Sequence, residues 1–73
     1  MESAELAWRL EKARRAVTEG ETQIRRQRDF IYRLERGAKD TTEARAVLKT
    51  LLERQTQREK NLDVMIKQLP PQS

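Results

Sequence analysis

The segment LERGAKDTTEA, residues 34–44, decides the fold because it ends one helical pattern and starts another. Gly37 can adopt the left-handed conformation that terminates many helices. Asp40 then begins a D-x-x-E arrangement, in which Asp40 caps a new helix and Glu43 reaches back toward it. The segment therefore predicts that one helix ends near residue 36 and that a second begins near residue 41.

On both sides of this segment, seam residues recur at alternating steps of four and three, the heptad spacing of helices that pack along one face. In the first half they are Leu6, Leu10, Ala13, Val17, Gly20, Ile24, Gln27, Ile31, Leu34 and Ala38. In the second half they are Ala44, Leu48, Leu51, Gln55, Arg58, Leu62, Met65 and Leu69, widened by Val47, Leu52 and Ile66. Because most of these positions are apolar, two packed helices are predicted.

The short connection forces the helices to lie antiparallel, in a hairpin roughly 45 to 50 Å long at 1.5 Å per residue. We expect one all-α, coiled-coil-like hairpin domain over residues 1–73. Helix 1 is expected at about 3–36, the turn at 37–40 and helix 2 at about 41–69. Pro70 and Pro71 should end helix 2, which leaves a loose tail at 70–73.

The middle of this hairpin is predicted to be polar. The segment ERQTQREKN, residues 53–61, contains no apolar residue and faces VTEGETQIR, residues 17–25. Arg58 should lie beside Gly20, with Glu19 and Glu21 on either side. Such a layer either binds a ligand or partner or, in the interpretation we prefer, holds one helix register at some cost in stability.

A chain of 73 residues without cysteine or histidine has neither a disulfide nor a zinc site to reinforce a small core. The apolar arc of helix 2 spans about 140° at 100° per residue, which is more than one partner helix covers. We expect a second copy to cover it in a two-fold symmetric four-helix bundle, although another helical protein could do so. The candidate oligomer interface comprises Val47, Leu48, Leu51, Leu52, Leu62, Met65, Ile66 and Leu69.

The segment QIRRQRDFIYR, residues 23–33, combines arginines and aromatics as a nucleic-acid patch does. Its arginines point away from the seam, however, and five acid-first pairs at i, i+4 are typical of helix support, at about 0.2 to 0.5 kcal/mol each. The pairs are Glu5–Arg9, Glu11–Arg15, Glu21–Arg25, Asp29–Arg33 and Glu35–Lys39. A solvated face is therefore preferred, and a small basic nucleic-acid-binding protein remains the alternative.

Two aromatic residues lie outside the predicted seam, Trp8 on the outer side of helix 1 and Phe30 at its flank beside Leu34. Large aromatics in such positions tend to mark a contact surface. For Trp8, a solitary exposed ring near a helix end is the competing interpretation.

Catalysis is not expected, because the chain lacks histidine, cysteine and a glycine-rich phosphate loop, and its serines are Ser3 and Ser73. No cofactor or metal is expected. There is no apolar run of about 20 residues and no signal-peptide pattern, so we expect a soluble cytoplasmic protein without membrane contact. The predicted function is a structural or regulatory protein–protein interaction module of unknown pathway.

The stretch from Glu19 to Gln55 resembles a group of small uncharacterised bacterial proteins, mostly alphaproteobacterial, with a G-E-x-x-I-x-R-Q-R-x-x-I-x-x-L-E-R core followed by D-T-x-x-A. The matching residues are Gly20, Glu21, Ile24, Arg26, Gln27, Arg28, Ile31, Leu34, Glu35, Arg36, Asp40, Thr41 and Ala44. The turn glycine, Gly37, stands one position earlier than in that group, and the group's late histidines are absent. The resemblance implies a helical hairpin and no particular activity.

This resemblance directs attention to Gln27, a polar seam residue expected to face Leu51 and Gln55 across the hairpin. The candidate interaction surface around it is suited to an acidic partner surface. It comprises Arg25, Arg26, Gln27, Arg28, Phe30, Tyr32 and Arg33.

Overall fold

The computed structural model of the chain describes residues 2–69, with side chains from residue 4 onward, and confirms the all-α helical hairpin. Helix α1 spans Glu2–Arg36 and helix α2 spans Thr42–Lys67. The observed helix ends lie within two residues of the expected ones, and the expected tail at 70–73 lies outside the described residues. Neither described helix is long and apolar enough to cross a membrane.

The helices pack along the seam that the heptad spacing predicts. From Leu6 to Leu34 on α1, and from Ala44 to Leu69 on the second half, each predicted seam residue is buried or half-buried. The exceptions are Ala38, which lies in the turn, and the three residues that widen the second series, Val47, Leu52 and Ile66; all four are exposed. The periodicity of the sequence therefore identifies the packed faces correctly.

The apolar core of the hairpin is small. Among the described apolar residues only Ile24, Ile31 and Ala44 are buried, at 9%, 6% and 6% exposure. All three lie between the middle of the hairpin and the turn, so the half near the chain ends is held by half-buried side chains alone.

Helix α1 ends in a Schellman motif whose left-handed residue is Ala38. Its φ is 53°, whereas Gly37 has no positive φ. Lys39 N donates to Leu34 O at 2.8 Å and Ala38 N donates to Glu35 O at 3.0 Å, which are the two hydrogen bonds of this motif. The prediction for Gly37 is wrong by one residue, because Gly37 N still donates to the carbonyl four residues earlier, at 3.1 Å.

Helix α2 begins at an Asx-type turn. Asp40 Oδ1 accepts hydrogen bonds from the backbone N of Thr42 at 3.0 Å and from its hydroxyl at 2.7 Å. The N-cap residue is Thr41, whose side chain makes no cap hydrogen bond. No hydrogen bond joins Glu43 to Asp40 in the described chain, so the reciprocal part of the predicted capping box is wrong: Glu43 stands one residue before the N3 position.

The ion pairs of α1 are fewer than the sequence predicts. Glu5–Arg9 and Glu11–Arg15 form at 2.7 and 3.1 Å. Within residues 4–69 the pairs predicted for Arg25, Arg33 and Lys39 do not form. Lys39 lies beyond the end of α1, so it is not one helical turn from Glu35. Glu35 instead pairs with Arg45 of α2 at 3.4 Å, which links the two sides of the turn.

Exchanging the turn residues, Gly37→Ala with Ala38→Gly, is expected to stabilise the hairpin by about 1 to 2 kcal/mol. Glycine removes the cost of a left-handed alanine, and alanine suits the helical backbone at position 37. The nearest atom to a Cβ on Gly37 is Arg33 O at 3.6 Å, so no clash opposes the change. Urea denaturation measures the change in the free energy of unfolding. A loss of stability in the single variant Ala38→Gly would contradict the assignment of Ala38 as the left-handed residue.

The hydrogen bonds from the Thr42 hydroxyl and backbone lower the pKa of Asp40 below its ordinary value of 3.8. A lowered folded-state pKa contributes stability that is complete above the unfolded pKa and is lost as pH falls through the folded one. We expect Asp40→Asn to be less stable than wild type at neutral pH and the difference to shrink below about pH 4. A pKa of Asp40 at or above 3.8 in the folded protein, measured by NMR titration, would contradict the lowered pKa.

Candidate functional site

The centre of the hairpin is a polar layer formed by Gly20 of α1 with Gln55 and Arg58 of α2, called the waist here. Gln55 is 5% exposed, which makes it more buried than any apolar residue described. Its Nε2 donates a hydrogen bond to the backbone carbonyl of Val17 at 2.9 Å. To reach that carbonyl, the amide passes over Gly20, where a Cβ would overlap Gln55 Oε1.

Arg58 lies beside Gly20 as predicted. Its Nη1 is 2.8 Å from the position that a Cβ on Gly20 would occupy. Within the described residues it makes no ion pair with Glu19 or Glu21, both of which are exposed. The buried end of Arg58 therefore belongs to the waist and not to a charged cluster at the surface.

A second glutamine makes the reciprocal contact nearer the turn. Gln27 Nε2 donates to the backbone carbonyl of Ala44 at 2.8 Å. The sequence predicts Leu51 and Gln55 as its neighbours, but the amide bonds instead to the main chain of α2, which the small buried side chain of Ala44 lets it approach. Each helix thus donates one side-chain amide to the backbone of the other.

The waist also holds two buried polar atoms, Gln55 Oε1 and Arg58 Nη1, that have no hydrogen-bond partner in the described part of the chain. A buried polar group without a partner costs about 1 to 3 kcal/mol. Replacing buried polar groups of this kind by well-packed apolar side chains is often neutral or stabilising. The polar layer fits only one register, however, since sliding α2 would move Gln55 away from both Val17 and Gly20.

A groove of about 670 Å³ runs along one side of the waist and is called the waist groove. Its lining residues are Glu21, Ile24, Arg25, Arg28, Asp29, Leu52, Gln55, Thr56 and Glu59. Apolar side chains are thus flanked by three carboxylates and two guanidinium groups. This balance gives the groove no excess of positive charge, so it suits a protein surface carrying both signs better than a phosphate backbone.

The fold divides the candidate interaction surface predicted from the sequence. Arg25 and Arg28 line the waist groove, whereas Arg26 lines a shallow depression with Glu19 on another side of α1. Successive helical residues are 100° apart, so neighbours in sequence point in different directions. Gln27 lies in the seam and Phe30 is 48% exposed. The seven predicted residues therefore do not form one continuous site.

Two of the three exposed aromatic rings of α1, those of Tyr32 and Trp8, are each accompanied by a cation. The Arg36 guanidinium carbon lies 5.8 Å from the ring centroid of Tyr32, and the Lys12 ammonium lies 4.8 Å from that of Trp8. Trp8 also lines a groove of about 330 Å³ with Met65 of α2. Trp8 is thus an exposed ring at the edge of a groove between the helices, with a cation–π neighbour.

The candidate oligomer interface is also divided. Val47, Leu52 and Ile66 are 49%, 38% and 43% exposed, and the other five predicted residues are half-buried in the seam. At 100° per residue, Leu52 and Ile66 share one flank of α2, and Val47 lies about 140° from Leu52. The seam therefore uses most of the apolar arc, which leaves Leu52 at the waist groove and Ile66 exposed on the same flank, closer to the end of α2.

Comparison of the chain with protein-family models, curated proteins and solved structures found no match. The resemblance to the bacterial group with the G-E-x-x-I-x-R-Q-R core therefore stays a prediction.

Gly20→Ala is expected to destabilise the hairpin by about 1 to 3 kcal/mol, because the new Cβ overlaps the Gln55 amide. In a Gln55→Ala background the same substitution should stabilise it by up to about 1 kcal/mol, since alanine favours a helix more than glycine does. Urea denaturation of wild type, the two single variants and the double variant gives the coupling energy between positions 20 and 55. If Gly20→Ala changes the free energy of unfolding by the same amount in both backgrounds, the Gln55 side chain does not need a glycine at position 20.

Proposed function

We propose that this protein is a non-enzymatic structural or regulatory interaction module whose hairpin pairs with a second copy in a two-fold symmetric four-helix bundle. The observation that carries the proposal is the contrast between a small core and many exposed apolar side chains. Seven large apolar or aromatic side chains are between 38% and 60% exposed. They are Trp8, Phe30, Tyr32, Val47, Leu52, Val64 and Ile66.

The accessible surface of the hairpin supports pairing. It measures 6329 Å², whereas a folded chain of 8.7 kDa is expected to expose roughly 4,700 Å². A standard protein–protein interface buries about 800 Å² on each partner. The single hairpin thus has more excess surface than one such interface requires.

A second hairpin would also supply the packing that the seam lacks. Half-buried residues such as Leu48, Leu51 and Leu62 each contact one neighbouring helix within the hairpin. In a four-helix bundle, residues of this kind gain a second neighbouring helix. Since small domains without disulfides or metals often depend on association for their stability, a second copy is the simplest source of that packing.

In this proposal the outer side of α1 remains available to another protein. Arg26 and Arg33 lie on that side, opposite the seam, and both are exposed. Their positive charge suits an acidic surface on a partner protein. The bundle would serve as a rigid support that presents this side twice, once from each copy.

Light scattering behind a sizing column tests the association. We expect the molar mass to rise from about 9 kDa in dilute solution to about 17 kDa at high concentration, because a dimer obeys mass action. Helical circular dichroism recorded over the same concentrations should stay constant or increase. A mass of one chain at every concentration would contradict pairing and would favour a different helical protein on the exposed flank.

A further inference from the structure

A second series of residues on α2 follows the heptad spacing beside the seam. Its successive members are Arg45, Lys49, Leu52, Thr56, Glu59 and Asp63, and one further step reaches Ile66. All of them are exposed, so α1 does not cover them. This series is called the α2 flank, and it borders the waist groove through Leu52, Thr56 and Glu59.

The charges of the α2 flank are arranged symmetrically about residue 54. Arg45 and Lys49 stand nine and five residues before it, and Glu59 and Asp63 stand five and nine residues after it. The two basic residues are thus matched by two acidic ones at equal distances. A surface of this kind is complementary to itself when a second copy lies antiparallel to it.

We infer that the second copy binds along the α2 flank, with the two α2 helices antiparallel and the two-fold axis beside residue 54. This inference rests on the proposed self-association and names its surface. The axis places Arg45 opposite Asp63 of the second copy, Lys49 opposite Glu59 and Leu52 opposite Thr56. Because the interface is isologous, each pair occurs twice.

The shape of the α2 flank fits this arrangement. A groove of about 370 Å³ lies on its outer side, with Arg45, Leu48 and Lys49 in its lining. The waist groove lies on its inner side, and Leu52 and Thr56 line both grooves. These two residues therefore form a ridge between two grooves, which is the surface relief that packed helices interlock.

The same axis also produces a complementary contact on α1. The end of the Arg58 side chain lies beside Gly20, so a step of four residues along each antiparallel helix places residue 24 near residue 54. Glu21 stands three residues before residue 24 and Arg28 stands four residues after it, and both line the waist groove. The axis thus brings Glu21 close to Arg28 of the second copy. The Glu21–Arg28 contact adds to the pairs made by α2, whereas the two copies of Arg25, one residue beyond residue 24 in the same groove, lie near each other across the axis.

The ion pairs that residues of the α2 flank make within the hairpin do not oppose pairing with a second copy. Arg45 pairs with Glu35 at 3.4 Å and Asp63 with Lys67 at 2.8 Å, with all four side chains at least half exposed. Exposed pairs of this kind contribute little and exchange readily. Within the described residues Lys49 and Glu59 make no ion pair, so substituting them disturbs no contact within the hairpin.

The test uses two full-length variants, Lys49→Glu and Glu59→Lys, with self-association measured by sedimentation equilibrium in low salt. Each variant alone places like charges opposite each other twice, so its dimer dissociation constant should rise about tenfold or more. In an equimolar mixture, the acid introduced by Lys49→Glu faces the base introduced by Glu59→Lys. The Glu59 retained in the first variant faces the Lys49 retained in the second. Mixed dimers should therefore form with a dissociation constant within about threefold of wild type.

Arg54→Glu is the matched control, because it reverses one exposed charge on the other flank of α2. It should leave association unchanged. Three results would overturn the assignment of the α2 flank as the interface while leaving self-association intact. They are single variants that pair as tightly as wild type, a mixture that fails to restore pairing, and a control that weakens pairing. A wild-type chain that stays single would instead overturn the proposed function, and this inference with it.

Discussion

The hydrogen bond from Gln55 to the backbone carbonyl of Val17, made across Gly20, determines how the two helices lie against each other. A glutamine amide can follow this path only where the opposing helix has no side chain. A glycine inside a helix destabilises it by about 1 kcal/mol relative to alanine. Here the missing side chain lets the Gln55 amide reach the main chain of α1. Gln27 makes the reciprocal bond to Ala44, so the register is held at two levels of the hairpin.

This polar control of register has a consequence for the surface. Polar groups occupy the middle of the seam, and the apolar core is confined to a few residues on the side of the turn. The seam covers one face of each helix, so large apolar side chains outside it are left on the flanks. A hairpin with so small a core therefore keeps exposed apolar surface beside its seam.

Charge has one role within the hairpin and, in the proposed pairing, a different role between copies. The intramolecular ion pairs are exposed and contribute little to the free energy of unfolding. Along the α2 flank, by contrast, the order of the charges carries information, because basic residues precede Leu52 and acidic residues follow Thr56. In the proposed pairing, reversing one of these charges would change which surfaces can pair, even where it changes the free energy of unfolding little.

From the sequence alone one can derive the two helices, their packed faces and the position of Arg58 beside Gly20, because heptad spacing and turn residues are local signals. Local signals did not reveal that Ala38 and not Gly37 is left-handed, since that depends on where the last helical hydrogen bond closes. Nor did they reveal that Gln27 and Gln55 bond to backbone carbonyls. Only the tertiary structure decided these two bonds, because each depends on how closely one helix approaches the other.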